Sequence, residues 1–362
     1  MHTAHPTLLI GPADWQPERM PKTEFFRRIE ALWQSCPTAS HALVCGTSRH
    51  HAELAYLSNL VPKLDPAVAI LSRAGEPRLF VGGGPNMLGA ARPLTWIADV
   101  APLQELERVR LSDCVLIGDG YLTTVLRKIV IDASGASKSA QDATAQLWKL
   151  MRRKSPAELA AIRAASAVLD AAMAQMVDAY RRGEGVTTVV LAGERAASEN
   201  GAQDVRTLFS LNGGRTLVPF ETLEARVVDP LQIYVAVRRL NYWAEGFALL
   251  THERRAIHSQ AAAILQSAIN ATMAGTRLDD LARVVASGAF PYRIHVVAAD
   301  CIGPLGLALD APPYAAGAAL RTDEVCSIRV GFTNGADENA VVSAMVAVRE
   351  DGNDVLWPPQ FA

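Results

Sequence analysis

The sequence lacks a CxxC pair, and its five cysteines, Cys36, Cys45, Cys114, Cys301 and Cys326, are scattered and odd in number. Thiols in that arrangement read as buried and reduced, which argues against a disulfide framework or a thiolate metal site. Charge of one sign is lacking too. The formal net charge is −2, so there is no electrostatic footprint for nucleic acid. No apolar run reaches the roughly 18 residues that a membrane span needs. The first residues, MHTAHPTLLIGPADW, have no basic region ahead of a long apolar core, so no signal peptide is expected. Repeats and low-complexity tracts are absent as well. These absences predict a cytoplasmic protein whose ligand is a small molecule rather than a nucleic acid or a membrane.

Half of the 362 residues are hydrophobic and a fifth are charged, the balance of a globular chain. The length suffices for two domains, each with its own core. Residues 23–36 place Phe25, Phe26, Ile29, Leu32 and Trp33 at helical spacing. HALVCGT (41–47), AVAILSR (67–73), PRLFVGG (77–83) and DCVLIGD (113–119) read as strands, the middle two joined through Ala74-Gly75-Glu76-Pro77. GGGP (82–85) precedes no Gly-Lys-Ser/Thr helix, so it reads as a loop and not a phosphate cradle. A boundary follows at LMRRKSPAELAAIRAA, where Ser155, Pro156 and Glu158 form a capping box ahead of a long helix. Leu159, Ile162, Ala165, Leu169 and Met173 mark its apolar face. Thr187 or Thr188 is expected to cap the next helix, a third spans about 253–273, and Thr276 is expected to cap a fourth. Then come the strand-like runs YRIHVVAA, EVCSIRVGF, AVVSAMVAVRE and VLWPP, with turns at Asn334-Gly335 and Asp351-Gly352.

In this order the chain resembles the pita-bread family of creatinase, prolidase, aminopeptidase P and methionine aminopeptidase. The residues that carry the resemblance are YLSN (56–59), SRAGEPRLFV (72–81), LMRRKSPAELAAIRAA, the hairpin PLQIYVAVRRLNYWAEGFALLTH and VREDGNDVLWPP. The resemblance implies an α+β fold class, with a creatinase-like N-terminal α/β domain over 1–148 and a pita-bread domain of catalytic type over 149–362. It also implies a homodimer.

The family's usual centre is two aspartates, a histidine and two glutamates around a dinuclear metal site, a hard oxygen-rich set that suits divalent cations. This sequence departs from it. Tyr234 and Glu245 keep the spacing of the two aspartates on the hairpin; Gly303, in GPLGLALDAPP, stands for the histidine; Arg329, in VCSIRVGF, and Ser343, in VVSAMVAV, stand for the glutamates. Asp310 and Phe220 take two further positions where some members have catalytic histidines. A guanidinium has no lone pair to give a metal, so no metal and no other cofactor is expected.

What remains is Glu245, Asp310 and Arg329. Arg329 either pairs with Glu245 as a structural bridge or clamps a substrate carboxylate through two hydrogen bonds. Asp310 is either a general base tuned by burial or a turn residue before Ala311-Pro312-Pro313. Tyr234 either orients substrate or belongs to the core. His252, just past the hairpin, His295, in YRIHVVAA, Asp300 beside it, Ser343, Phe220 and Lys63 are the further candidates for contact with substrate. Arg238, Arg239 and Asn241 read as solvated tip residues, and the histidines of SRHHAEL (48–54) as solvated imidazoles. The expected function is a metal-independent, creatinase-like enzyme acting on a small amino-acid-like or guanidino substrate by acid/base chemistry, through C–N hydrolysis, elimination or cyclisation. The other expectation left open is a catalytically silent protein that binds a peptide or protein partner.

Overall fold

The computed structural model describes residues 14–135, 141–219, 224–335 and 338–361. The chain divides into two compact units between Arg152 and Arg153, slightly later than the boundary expected at residue 148. The reason lies in the helix Thr144–Arg152. It buries Leu147 and Met151, and the indole N–H of its Trp148 donates to Glu53 Oε1 at 2.8 Å, so it belongs to the first unit.

That unit runs α1 (Lys22–Ser35), β1 (His41–Gly46), α2 (Ala52–Ser58), β2 (Ala67–Ser72), β3 (Arg78–Val81), α3 (Pro85–Ala91), β4 (Asp99–Pro102), β5 (Cys114–Ile117), α4 (Thr124–Ala133), β6 (Gln141–Asp142) and α5 (Thr144–Arg152). One sheet holds its strands in the order β4-β3-β2-β1-β5-β6. The strands β2 and β3 form the expected antiparallel hairpin, whereas β1 and β5 run parallel. The apolar run of β1 is buried along its length after His41, as a central strand covered on both faces requires. In SRHHAEL the structure corrects the expectation of a solvated surface: His51 and Glu53 are buried, Glu53 because Trp148 supplies its hydrogen bond. All five cysteines are buried free thiols.

The second unit runs α6 (Pro156–Arg181), α7 (Val186–Glu199), β7 (Asp204–Phe209), β8 (Val218–Pro219), β9 (Leu231–Arg239) and β10 (Tyr242–Leu250). It continues as α8 (Ala256–Asn270), α9 (Leu278–Ser287), β11 (Arg293–Ile294), β12 (Ile302–Pro304), β13 (Val325–Thr333), β14 (Asn339–Arg349), β15 (Gly352–Trp357) and β16 (Gln360–Phe361). The order of elements thus occurs twice: two helices, short strands, then a long antiparallel hairpin. One sheet is β16-β10-β9-β7-β8; the other is β11-β13-β14-β15, with β12 also on β13. In each half the first helix packs on its own hairpin, α6 on β9 and β10, α8 on β13 and β14.

The capping box of α6 is present: Glu158 N–H donates to Ser155 Oγ and Ser155 N–H to Glu158 Oε2. The face expected from spacing is buried, while Arg163, Asp170 and Asp178 are exposed. By length and composition alone α6 could cross a bilayer; here its apolar face is spent on β9, β10 and α7. The two threonine caps are not formed. The N-cap of α7 is Gly185, and the Thr187 hydroxyl instead accepts from Glu224 N–H. That of α9 is Arg277, and Thr276 Oγ1 donates to Ala271 C=O.

The β9–β10 tip is a two-residue turn in which Leu240 and Asn241 both have positive φ, 50° and 67°, the backbone that matches the twist of a hairpin. A leucine there is strained. Gln203 holds the turn, accepting from Asn241 N–H at 2.7 Å and donating to Asn241 Oδ1 at 3.3 Å. Arg238 and Asn241 are therefore buried, not solvated as expected.

Candidate functional site

Side chains alternate across a strand, so register decides which residues share a face. In the hairpin Tyr234 lies opposite Phe247, Ala236 opposite Glu245 and Arg238 opposite Trp243. Strand β7 extends these rows with Leu208, Arg206 and Asp204. On the other sheet Arg329 lies opposite Ser343, and Ser327 opposite both Met345 and Gly303. The two faces meet along a seam made by side chains. Phe247 N–H donates to Ser343 Oγ at 2.8 Å, and Glu245 N–H reaches Met345 Sδ at 3.3 Å. Fully buried Gln232 accepts from Val341 N–H at 2.9 Å and donates to Val341 C=O at 2.7 Å and Ala248 C=O at 2.8 Å.

Beyond the seam sits an ion pair. Arg329 Nη2 donates to Glu245 Oε1 at 2.5 Å, and the Tyr234 hydroxyl donates to Glu245 Oε2 at 2.6 Å. The Glu245 side chain is 3 % exposed and that of Arg329 23 %. Burial works against the charge of Arg329, but the Glu245 carboxylate outweighs it and holds the guanidinium pKa above its ordinary value. Burial and the same carboxylate push the Tyr234 phenol well above its usual range, so it stays a proton donor. Arg329 Nε has no hydrogen-bond partner among the described residues. Exposed Asp300 acts on Arg329 through its charge.

The positions that the resemblance assigns to metal ligands therefore do come together. A Cβ on Gly303 would lie 3.7 Å from Arg329 Nη2, which puts that position at the pair as well. Together they offer one carboxylate, a phenol, a hydroxyl and a guanidinium. This donor set does not fit a divalent cation, because the guanidinium repels it and has no lone pair. Among the described residues no group of three or more His, Cys, Asp and Glu side chains could hold a metal ion.

Other expected site residues stand elsewhere. Asp310 is exposed on a coil before Ala311-Pro312-Pro313. Ser343 is fully buried and its oxygen serves the seam. His252 is exposed and stacks on Tyr180 with ring centroids 4.8 Å apart. Lys63 is half-buried on the α2–β2 loop of the first unit. Phe220 lies outside the described residues. His295 is not in a strand: the chain leaves β11 after Ile294, and His295 caps a short 3-10 turn by accepting from Val297 N–H at 3.2 Å. Sequence reasoning passed over Arg206 and Gln232, whose alternation with apolar neighbours places them on the face of Tyr234 but marks neither of them out.

Two buried histidines, His258 and His295, are expected to make this unit sensitive to acid. Burial lowers the pKa of His295, and burial with the charges of Arg255 and Arg254 lowers that of His258 against Glu338 and Asp229. Unfolded, both return to about 6.5 and take up protons below it, whereas folded they do so only at lower pH. Stability is therefore expected to be full above about pH 6.5 and to fall as pH drops through the window beneath it. Urea midpoints at pH 7.5 and 5.5 should differ less in the His258→Asn/His295→Asn variant than in the wild type; an equal difference would remove this account.

No family model matches the sequence, and no curated protein does. Solved structures do match in fold. The X-Pro aminopeptidase of Thermotoga maritima aligns with a TM-score of 0.74 at 14 % identity, covering 93 % of this chain and 99 % of that one. The prolidase of Pyrococcus horikoshii gives a TM-score of 0.73 at 12 % identity over 91 % and 97 %. A variant of Escherichia coli aminopeptidase P gives 0.73 at 15 % identity over 95 % of each chain. The chain has the pita-bread fold of these peptidases, with an α/β unit ahead of it.

Proposed function

We propose that this protein is a metal-independent enzyme of creatinase-like build that acts on a small amino-acid-like or guanidino molecule by proton transfer, breaking a C–N bond, eliminating a group or closing a ring. The observation that carries this reading is the Tyr234–Glu245–Arg329 chain, whose arginine side chain is 23 % exposed although its unpaired Nε is buried. A planar fork of this kind receives a carboxylate through two hydrogen bonds. A substrate carboxylate on Arg329 competes with Glu245 Oε1 and releases that oxygen to take a proton from the substrate. The Tyr234 hydroxyl, on the other oxygen, is placed to return one. The likeness to X-Pro aminopeptidases and prolidases supports a substrate with an amino-acid-like C–N bond.

One observation favours the silent, partner-binding reading: both Glu245 oxygens are already engaged. Incubation with N-substituted amino acids and guanidino acids, followed by proton NMR with a chelator present, separates the two. Turnover that persists in chelator and is lost in Arg329→Met supports the enzyme. Turnover that needs added Mn, Co or Zn overturns metal independence, and no turnover of any member leaves the silent reading. Elemental analysis after mild purification is expected to find no stoichiometric divalent metal. We also propose a homodimer. Light scattering at micromolar concentration is expected to give twice the chain mass, and a single-chain mass would remove it.

A further inference from the structure

Arg206 lies on β7 opposite Ala236, which lies opposite Glu245 on the next strand. Its guanidinium is 4.8 Å from the centroid of Trp243, a β10 residue two strands away. Neighbouring strands are about 4.8 Å apart, so the side chain has to lie across the sheet to get there. The methyl group of Ala236 leaves that path open, where a larger residue in the middle row would close it. The far end is held loosely: Arg206 Nη2 is 3.5 Å from Asp204 Oδ2, and the side chain is 48 % exposed. A second guanidinium therefore overhangs the face that carries Glu245, and its charge, like that of Arg329, acts on the Tyr234 hydroxyl.

The charges facing this region are three arginines, Arg206, Arg238 and Arg329, and three carboxylates, Asp204, Glu245 and Asp300. Arg238 is buried against Trp243 and feels Asp204, and Glu245 is taken up by Arg329. Exposed Asp300 acts on Arg329 through its charge. Arg206 pairs with Asp204 at 3.5 Å, and the same carboxylate acts on Arg238 through its charge. It is also the most exposed of the three arginines.

We propose that Arg206 is a second anchor, so that the site takes a small dianion with one carboxylate on Arg329 and another acidic group on Arg206 across the Ala236–Glu245 row. This rests on the reading that Arg329 receives a carboxylate. The ligand class it names is a short dicarboxylate, or an amino acid with an acidic side chain, rather than a neutral dipeptide end.

Isothermal titration of the full chain with malonate, succinate and glutarate, against acetate and butyrate at one fixed ionic strength, tests it. Fixing the ionic strength keeps general screening equal between the two series. The best dicarboxylate is expected to bind at least tenfold more tightly than either monocarboxylate. Arg206→Met should erase that advantage while leaving monocarboxylate affinity within twofold, and Arg206→Lys should keep part of it. An unchanged urea midpoint in Arg206→Met confirms that the fold is intact. Equal affinity for the two series, or an advantage that survives Arg206→Met, overturns the second anchor and leaves the Arg329 reading standing. No binding by either series removes both.

Discussion

Glu245→Gln is expected to lower the unfolding free energy of the second unit by about 3 kcal/mol, and most of that loss is expected to disappear when Arg329 is replaced by methionine in the same chain. The first substitution leaves a guanidinium that is three-quarters buried without its counter-charge, and breaking a buried pair from one side costs about 3–5 kcal/mol. The lower end applies because the Arg329 side chain is 23 % exposed and can draw on water. The double replacement removes both charges at once and leaves an uncharged amide beside a thioether, so no buried charge is left without a partner. The oxygen of the new glutamine amide still accepts from the Tyr234 hydroxyl, but its NH2 group has no acceptor on a methionine, so the recovery should be incomplete by about 1 kcal/mol. The measurement is a double-mutant cycle read by urea unfolding. Effects additive within about 0.5 kcal/mol would mean that the two side chains do not interact in solution.

Gln232→Leu is expected to cost as much, about 3 kcal/mol, with no charge involved. Its amide replaces a peptide group between the sheets, serving Val341 N–H and the carbonyls of Val341 and Ala248. Leucine fills the space and satisfies none of them, and a buried donor or acceptor left unmade costs about 1–3 kcal/mol. The loss should show as a lower urea midpoint. A loss below about 1 kcal/mol would show that water enters the seam and that the sheets are less tightly joined than the hydrogen bonds imply.

The elements that could be read along the chain were those whose signals are local. The Ser155–Glu158 box and the apolar face of α6 depend on residues within a few positions of each other, and the hairpins on alternation and turn residues. What failed depended on partners far away in sequence. Asn241 is buried because Gln203 binds it, and Glu53 because Trp148 does. YRIHVVAA alternates like a strand, yet Ile294 and Val296 are 41 % and 79 % exposed, so the pattern there records no buried face. The doubled order of elements leaves no trace as a repeat, since the two halves share packing and not residues. At the site, Glu245 and Arg329 could be placed together only through the resemblance to a family whose ligands they replace. Asp310 could be read either as a base or as a turn residue because nothing in LALDAPP reveals exposure, and Arg206 went unnoticed because its place rests on register with Ala236.

The doubled architecture has a consequence for how the second unit comes apart. Glu245 belongs to the first hairpin and Arg329 to the second, so each half brings one charge of the pair and one side of the Gln232 clasp. A chain with only one half formed would lack both the ion pair and the Gln232 hydrogen bonds and would leave the apolar face around them open to water. Half-folded chains are thereby penalised at both ends of the seam, and the two halves are bound to form and melt as one. The ion pair then works as a cooperativity device, and losing it should loosen that bond: the urea transition of Glu245→Gln is expected to broaden as well as shift, because the halves no longer need to leave together.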